Sequence, residues 1–126
     1  MKLLVLLVLA AQVAPLHGVE IHCPDRWSPK GWITQDSAPD TRVRSAGVMV
    51  GPIENRGELR GQERTLKDGY DVRFAGLSDY AEPQAKWAYC SYGTAETEAK
   101  LLRRLPDTTA ECVAKVRPAG VSLQCR

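Results

Sequence analysis

The tightest constraint on what this chain can fold into lies at its C-terminal end. Arg117-Pro118-Ala119-Gly120 carries Pro at the second and Gly at the fourth position of a four-residue turn, the pattern of a type I β-turn. Pairing Val116 with Val121 across it sets Ala114 opposite Leu123 and Cys112 opposite Cys125, so these six residues share one face. Val113, Lys115, Arg117, Ser122, Gln124 and Arg126 then share the other face. A one-residue slip would exchange the two sets. Turn chemistry and polarity therefore select the same hairpin.

The N-terminal end indicates what the cysteines are for. Met1-Lys2 is a short positive segment, and Leu3 to Ala11 is an unbroken apolar run. That run has the length of a signal-peptide core and is too short to span a bilayer. Residues 1–18 are expected to be a signal peptide cleaved after Gly18, since cleavage after Ala14 would put Pro15 at the scissile bond. Residues 19–126 then form a single disulfide-stabilised β domain with no membrane attachment. Cys23, Cys90, Cys112 and Cys125 all lie in that part, and an even count in an oxidising compartment implies two disulfides. Four cysteines permit three pairings. The hairpin register favours Cys112–Cys125 and leaves Cys23–Cys90 by subtraction, with the other pairings open at the level of sequence.

Between the two ends the chain alternates strand-like runs with breakers. Val19 to Cys23, closed by Pro24, predicts a short first strand. Trp27 and Trp32 follow on a segment rich in Pro, Gly and Lys; they either cap the core edge or form an exposed aromatic contact pair. Thr34 to Asp40 has loop composition. Thr41 to Val50 predicts a strand ended by Gly51-Pro52. Ile53 to Gly69 balances four acids against four bases and contains Gly57 and Gly61, which predicts a solvated loop with at most one helical turn. Tyr70 to Phe74 alternates cleanly, as on a sheet with one wet face. Ala75 to Ala85 is a loop, and Trp87 to Tyr92 is a strand with Cys90 inward and Trp87, Tyr89 and Ser91 on the other face. Thr94 to Leu105 is ambiguous: its composition and the Glu96–Lys100 spacing argue helix, while Lys100 to Leu105 also alternates and ends at Pro106. The fold class is all-β, a small antiparallel β-sandwich or meander stapled by two disulfides.

Little in the chain points to catalysis or cofactor chemistry. Loss of residues 1–18 removes one Lys and no acid, so the net charge falls from +2 to +1, too little for a nucleic-acid partner. His22 would be the only histidine left, which supplies neither a metal site nor a usual catalytic pair. No Cys-x-x-Cys, Gly-x-Ser-x-Gly or phosphate-loop pattern is present. No enzyme activity and no cofactor are expected. Candidate partner contacts are Trp32, Arg60 of the charged loop, and Tyr80, which sits near acids on a surface loop.

Several of these residues together resemble a family of small exported bacterial proteins. The resemblance rests on the signal peptide, Ile21-His22-Cys23-Pro24, Trp87-Ala88-Tyr89-Cys90-Ser91-Tyr92, Leu101-Leu102-Arg103-Arg104-Leu105-Pro106, Glu111-Cys112-Val113 and Cys125. It covers the two ends of the mature chain and leaves residues 34–80 largely outside. It implies a periplasmic all-β protein of a Gram-negative cell and resolves residues 94–105 as a strand preceded by a longer turn. Members of the family lie beside type VI secretion effectors that attack peptidoglycan. The implied function is an immunity protein that blocks a cell-wall enzyme, and no inhibitory residue carries over. The alternative is a structural or ligand-binding periplasmic protein with no enzyme target.

Overall fold

The C-terminal hairpin forms in the register its turn dictates, with Cys112 opposite Cys125, Ala114 opposite Leu123 and Val116 opposite Val121. A computed structural model describes residues 18–80 and 84–126. The expected signal peptide, apart from Gly18, lies outside the described residues. The strands among them are β1 (Val19–His22), β2 (Ile33–Gln35), β3 (Val43–Val50), β4 (Gln62–Leu66), β5 (Gly69–Phe74), β6 (Lys86–Tyr92), β7 (Ala99–Arg104), β8 (Cys112–Arg117) and β9 (Gly120–Cys125). They form a five-stranded sheet in the order β1-β9-β8-β5-β4 and a four-stranded sheet in the order β2-β7-β6-β3. Every pairing is antiparallel. The protein is an antiparallel all-β fold of two sheets, stapled by Cys23–Cys90 and Cys112–Cys125.

Period-two patterning builds the core. Ala46 and Val48 of β3, Ala88, Cys90 and Tyr92 of β6, and Ala99 and Leu101 of β7 form one side. Phe74, Cys112, Ala114, Val121 and Leu123 from the other sheet complete it. Cys23–Cys90 crosses this core, whereas Cys112–Cys125 links two strands already paired.

The chain passes between the sheets just after Cys23. The Cys23 amide donates to Val121 O, on the first sheet, at 2.9 Å. Two residues later Val43 N donates to Asp25 O, and Trp27 N donates to Thr41 O, at the start of β3. The Tyr92 hydroxyl donates to Pro24 O at 2.6 Å, and the Trp27 ring stands edge-on to Tyr92 at 5.4 Å. Trp27 therefore belongs to the core edge, the first of its two readings.

Three segments depart from the sequence expectation or settle it. Ile33–Gln35, within a segment expected to be mostly loop, is β2, a strand too short for its pattern to be read. Gln62–Leu66, inside the expected charged loop, is β4, the edge strand of the larger sheet. All its residues but Leu66 are exposed, so no hydrophobic period marks it, and charges on an edge deter further pairing. The expected single turn is the 3-10 turn Ile53–Asn55. Residues 99–104 are the strand β7, not a helix. Its first four residues are all buried because β7 is covered on both faces, and that burial outweighs the helix-favouring composition.

The two staples differ in the length of chain they close, 67 residues for Cys23–Cys90 and 13 for Cys112–Cys125. Loop-closure entropy then makes the Cys23→Ala/Cys90→Ala pair cost about 4 kcal/mol and Cys112→Ala/Cys125→Ala about 3 kcal/mol. Denaturant unfolding of the two double variants measures the order, and a larger loss at the hairpin would contradict it.

Burial, then the nearby Asp25 carboxylate, push the Tyr92 phenol from 10.0 up to about 12. The fold favours the neutral phenol, so this contribution is full below pH 10.0 and disappears as pH rises through about 12. The phenolate absorbance difference between wild type and Tyr92→Phe is expected to grow in near pH 12 together with loss of tertiary structure. A step near pH 10 in folded protein would refute the assignment.

Candidate contact site

Alternation along β6 sends Trp87, Tyr89 and Ser91 away from the core. Their cross-strand partners are Arg104, Leu102 and Lys100 on β7, and Met49, Gly47 and Ser45 on β3. This outer face is not left to solvent, since Met49 and Leu102 are fully buried on it. Residues 51–60 fold back along it. Trp87 Nε1 donates to Gly51 O at 3.0 Å, and Gln35 Nε2 donates to Ile53 O at 2.9 Å. Backbone bonds from Val50 N to Gly57 O and from Leu59 N to Val48 O fix the far end of the segment to β3.

A charged clasp closes the cover. Lys100, its side chain 4% exposed, pairs with Glu58 of the covering segment and with Glu98 at 2.8 Å. Ser91 Oγ donates to Glu98 at 2.9 Å. Lys100 Nζ stands 5.3 Å from the centre of the Tyr89 ring. That ring crosses β3 at Gly47, where an added Cβ would lie 2.5 Å from the tyrosine hydroxyl. Burial opposes the Lys100 charge, yet its hydrogen bonds to Glu58 and Glu98 outweigh that and hold its pKa above the ordinary value. Burial likewise opposes ionisation of Glu98, and its bonds to Lys100 and Ser91 prevail, holding it below the usual carboxylate range. Burial, then Glu58, Glu98 and Tyr70, raise the Tyr89 phenol well above its ordinary value. Through Lys100, Glu58 and Glu98 the cluster ties the cover to the sheet.

The sequence-predicted contacts lie in three places. Trp32, just before β2, is half-buried against the core and carries the Arg103 guanidinium 3.7 Å from its ring centre. Register brings them together, because β2 pairs with β7 with Ile33 opposite Leu102. Ile33 itself is 46% exposed, the one large hydrophobic side chain so exposed among the described residues. Tyr80 follows the 3-10 turn Leu77–Asp79 and is half-buried against the core edge. Arg60 is exposed ahead of β4. No hydrogen bond, ion pair or ring contact joins these three to one another. On the opposite face of the same sheet, Arg104 stands 5.4 Å from the Trp87 ring and pairs with Asp107 at 2.9 Å.

Sequence reading missed Arg103, Ile33 and the Lys100 clasp. Leu101-Leu102-Arg103-Arg104, read as a strand, would have put Arg103 and Arg104 on opposite faces, but pairing Arg103 with Trp32 requires the β2–β7 register. The helical reading matched Lys100 with Glu96; its partners are Glu58 and Glu98. His22 is exposed on β1, 3.3 Å from Glu20. Among the described residues no group of three or more His, Cys, Asp or Glu side chains is placed to hold a metal ion, and no helix is long and apolar enough to cross a membrane. No protein-family model, curated protein or solved structure matches the chain.

Lys100→Met keeps the aliphatic stem and leaves Glu58 and Glu98 facing each other without their cation. Both carboxylates are partly exposed, so the expected loss is about 2 kcal/mol rather than the full cost of breaking a buried pair. Amide exchange over residues 51–60 should quicken. Unchanged stability and exchange would mean that backbone pairing alone holds the cover.

Proposed function

We propose that this chain is an exported, periplasmic binding protein that occupies a site on a protein partner, in the manner of an immunity protein against a peptidoglycan-attacking effector. The observation that carries this reading is the Trp32–Arg103 stack at the β2 edge. Trp and Arg dominate binding hot spots because a broad ring and a fixed fork of donors lose little freedom when covered. Trp32 is wedged against the core on one side, so it meets a partner already held in place. Two disulfides stiffen the scaffold and lower the ordering cost of association. They are also compatible with an oxidising compartment. The cell-wall enzyme as target comes from the family resemblance, and a guanidinium stacked on an aromatic ring suits a cleft that carries catalytic carboxylates.

Affinity capture from periplasm, with and without a neighbouring effector gene expressed, tests the reading. A peptidoglycan hydrolase should co-purify, and its activity should fall on addition of the protein. Trp32→Ala and Arg103→Ala should each weaken the complex by about 2 kcal/mol, roughly thirtyfold. If the gene protects against no adjacent toxin and no hydrolase co-purifies, the immunity role is lost.

A further inference from the structure

At the crossing between the sheets, Arg26 pairs with Arg42 across an isolated antiparallel bridge. The two flanking bonds, Trp27 N to Thr41 O and Val43 N to Asp25 O, make it the non-hydrogen-bonded kind of pair, in which opposed side chains come closest. Two like charges are thus set directly opposite each other, an arrangement that works against folding. Neither guanidinium has a hydrogen-bond or ion-pair partner among the described residues. Both line an open cleft of about 530 Å³ whose far wall is the β8–β9 turn, from Arg117 and Pro118 to Gly120.

The other charges around the cleft do not neutralise the pair. Arg117 is turned to Asp71 at 2.7 Å and to Tyr70 O at 3.0 Å. Asp25 lines the same cleft but forms no ion pair with either arginine. With Arg117 and Asp71 cancelling, the cleft keeps one net positive charge. A separate depression lined by His22 and Ser122 shares Asp25 and Gly120 with it, and we take the two together as one groove.

We propose that this groove is a second contact surface, which takes an extended, carboxylate-bearing segment of a protein partner. One carboxylate between the two guanidiniums would satisfy both forks and remove their repulsion. The inference rests on the reading of the chain as a protein-binding one, but it uses different residues from the Trp32 patch.

The test is titration of the isotopically labelled, disulfide-intact protein with an oligoglutamate peptide at low salt, followed by amide shifts. Shifts are expected at residues 25–27, 41–43 and 117–121. Arg42→Glu should weaken binding at least tenfold while the thermal midpoint stays level or rises, because a repulsive pair becomes an attractive one. Arg42→Lys should keep most of the binding, and Arg64→Glu on β4 should change it less than twofold. Absence of binding, shifts elsewhere, or an equal loss in Arg64→Glu would overturn the proposal. Because the readout is the peptide, its failure leaves the hydrolase capture and the Trp32 and Arg103 variants to stand on their own, and the reverse holds.

Discussion

The bond between Cys23 and Cys90 ties the end of β1 to β6, and with that it ties one sheet to the other. Other contacts converge on the same corner. Tyr92, on the same face of β6 as Cys90, donates to Pro24 O, next to Cys23. Trp27 stands edge-on to the Tyr92 ring, and the bridge from residues 25–27 to 41–43 starts β3. A small core gains much from such a corner, since the covalent link removes the entropy of an open 67-residue loop where burial alone is modest. The hairpin bond closes only 13 residues between strands already in register, so it stiffens one sheet without setting the relation of the two.

What the sequence made legible follows from which signals agreed. The terminal hairpin was readable because its turn residues and its period-two pattern selected one register, and that register is the one observed. β5 and β6 were readable for the same reason, each having one face in the core and clear breakers beside it. β7 was not, because Ala, Glu, Lys, Leu and Arg favour helix in isolation. Tertiary context overrode that preference: Leu101 fills the core while Lys100 and Leu102 are buried on the other face. β4 was hidden for the opposite reason, being polar on both faces. Of the contact patch, Trp32 could be named from sequence, but Arg103 could not, since only the pairing of β2 with β7 puts the guanidinium on the ring.

The outer face of the smaller sheet shows how charge is accommodated in a nearly closed site. Met49 and Leu102 need a cover, and residues 51–60 supply one that carries Glu58. A cover made only of polar loop would bring backbone groups that must find partners. Trp87, Gln35 and the backbone of β3 provide them. Lys100 then meets Glu58 and Glu98, and the fold holds the lysine charged and Glu98 ionised. Each ion stays bonded, which is the condition under which burying it is tolerable.

Both proposed contact surfaces lie near the two edges of the four-stranded sheet, β2 and β3, and the state of those edges indicates how a partner would be met. An open edge invites strand addition, in which backbone groups give affinity with little sequence discrimination. β3 is covered at its start by residues 25–27 and at its end by 57–59, and β2 is three residues long. Of the larger sheet's two edges, β4 is charged and β1 is four residues long. In the proposed reading, recognition then falls to side chains, to Trp32 and Arg103 at one edge and to Arg26 and Arg42 near the other. The arginine pair sits beside the corner that Cys23–Cys90 and the Tyr92–Pro24 bond tie together. A carboxylate seated between the two guanidiniums, as proposed, would turn their repulsion from a folding cost into a binding gain.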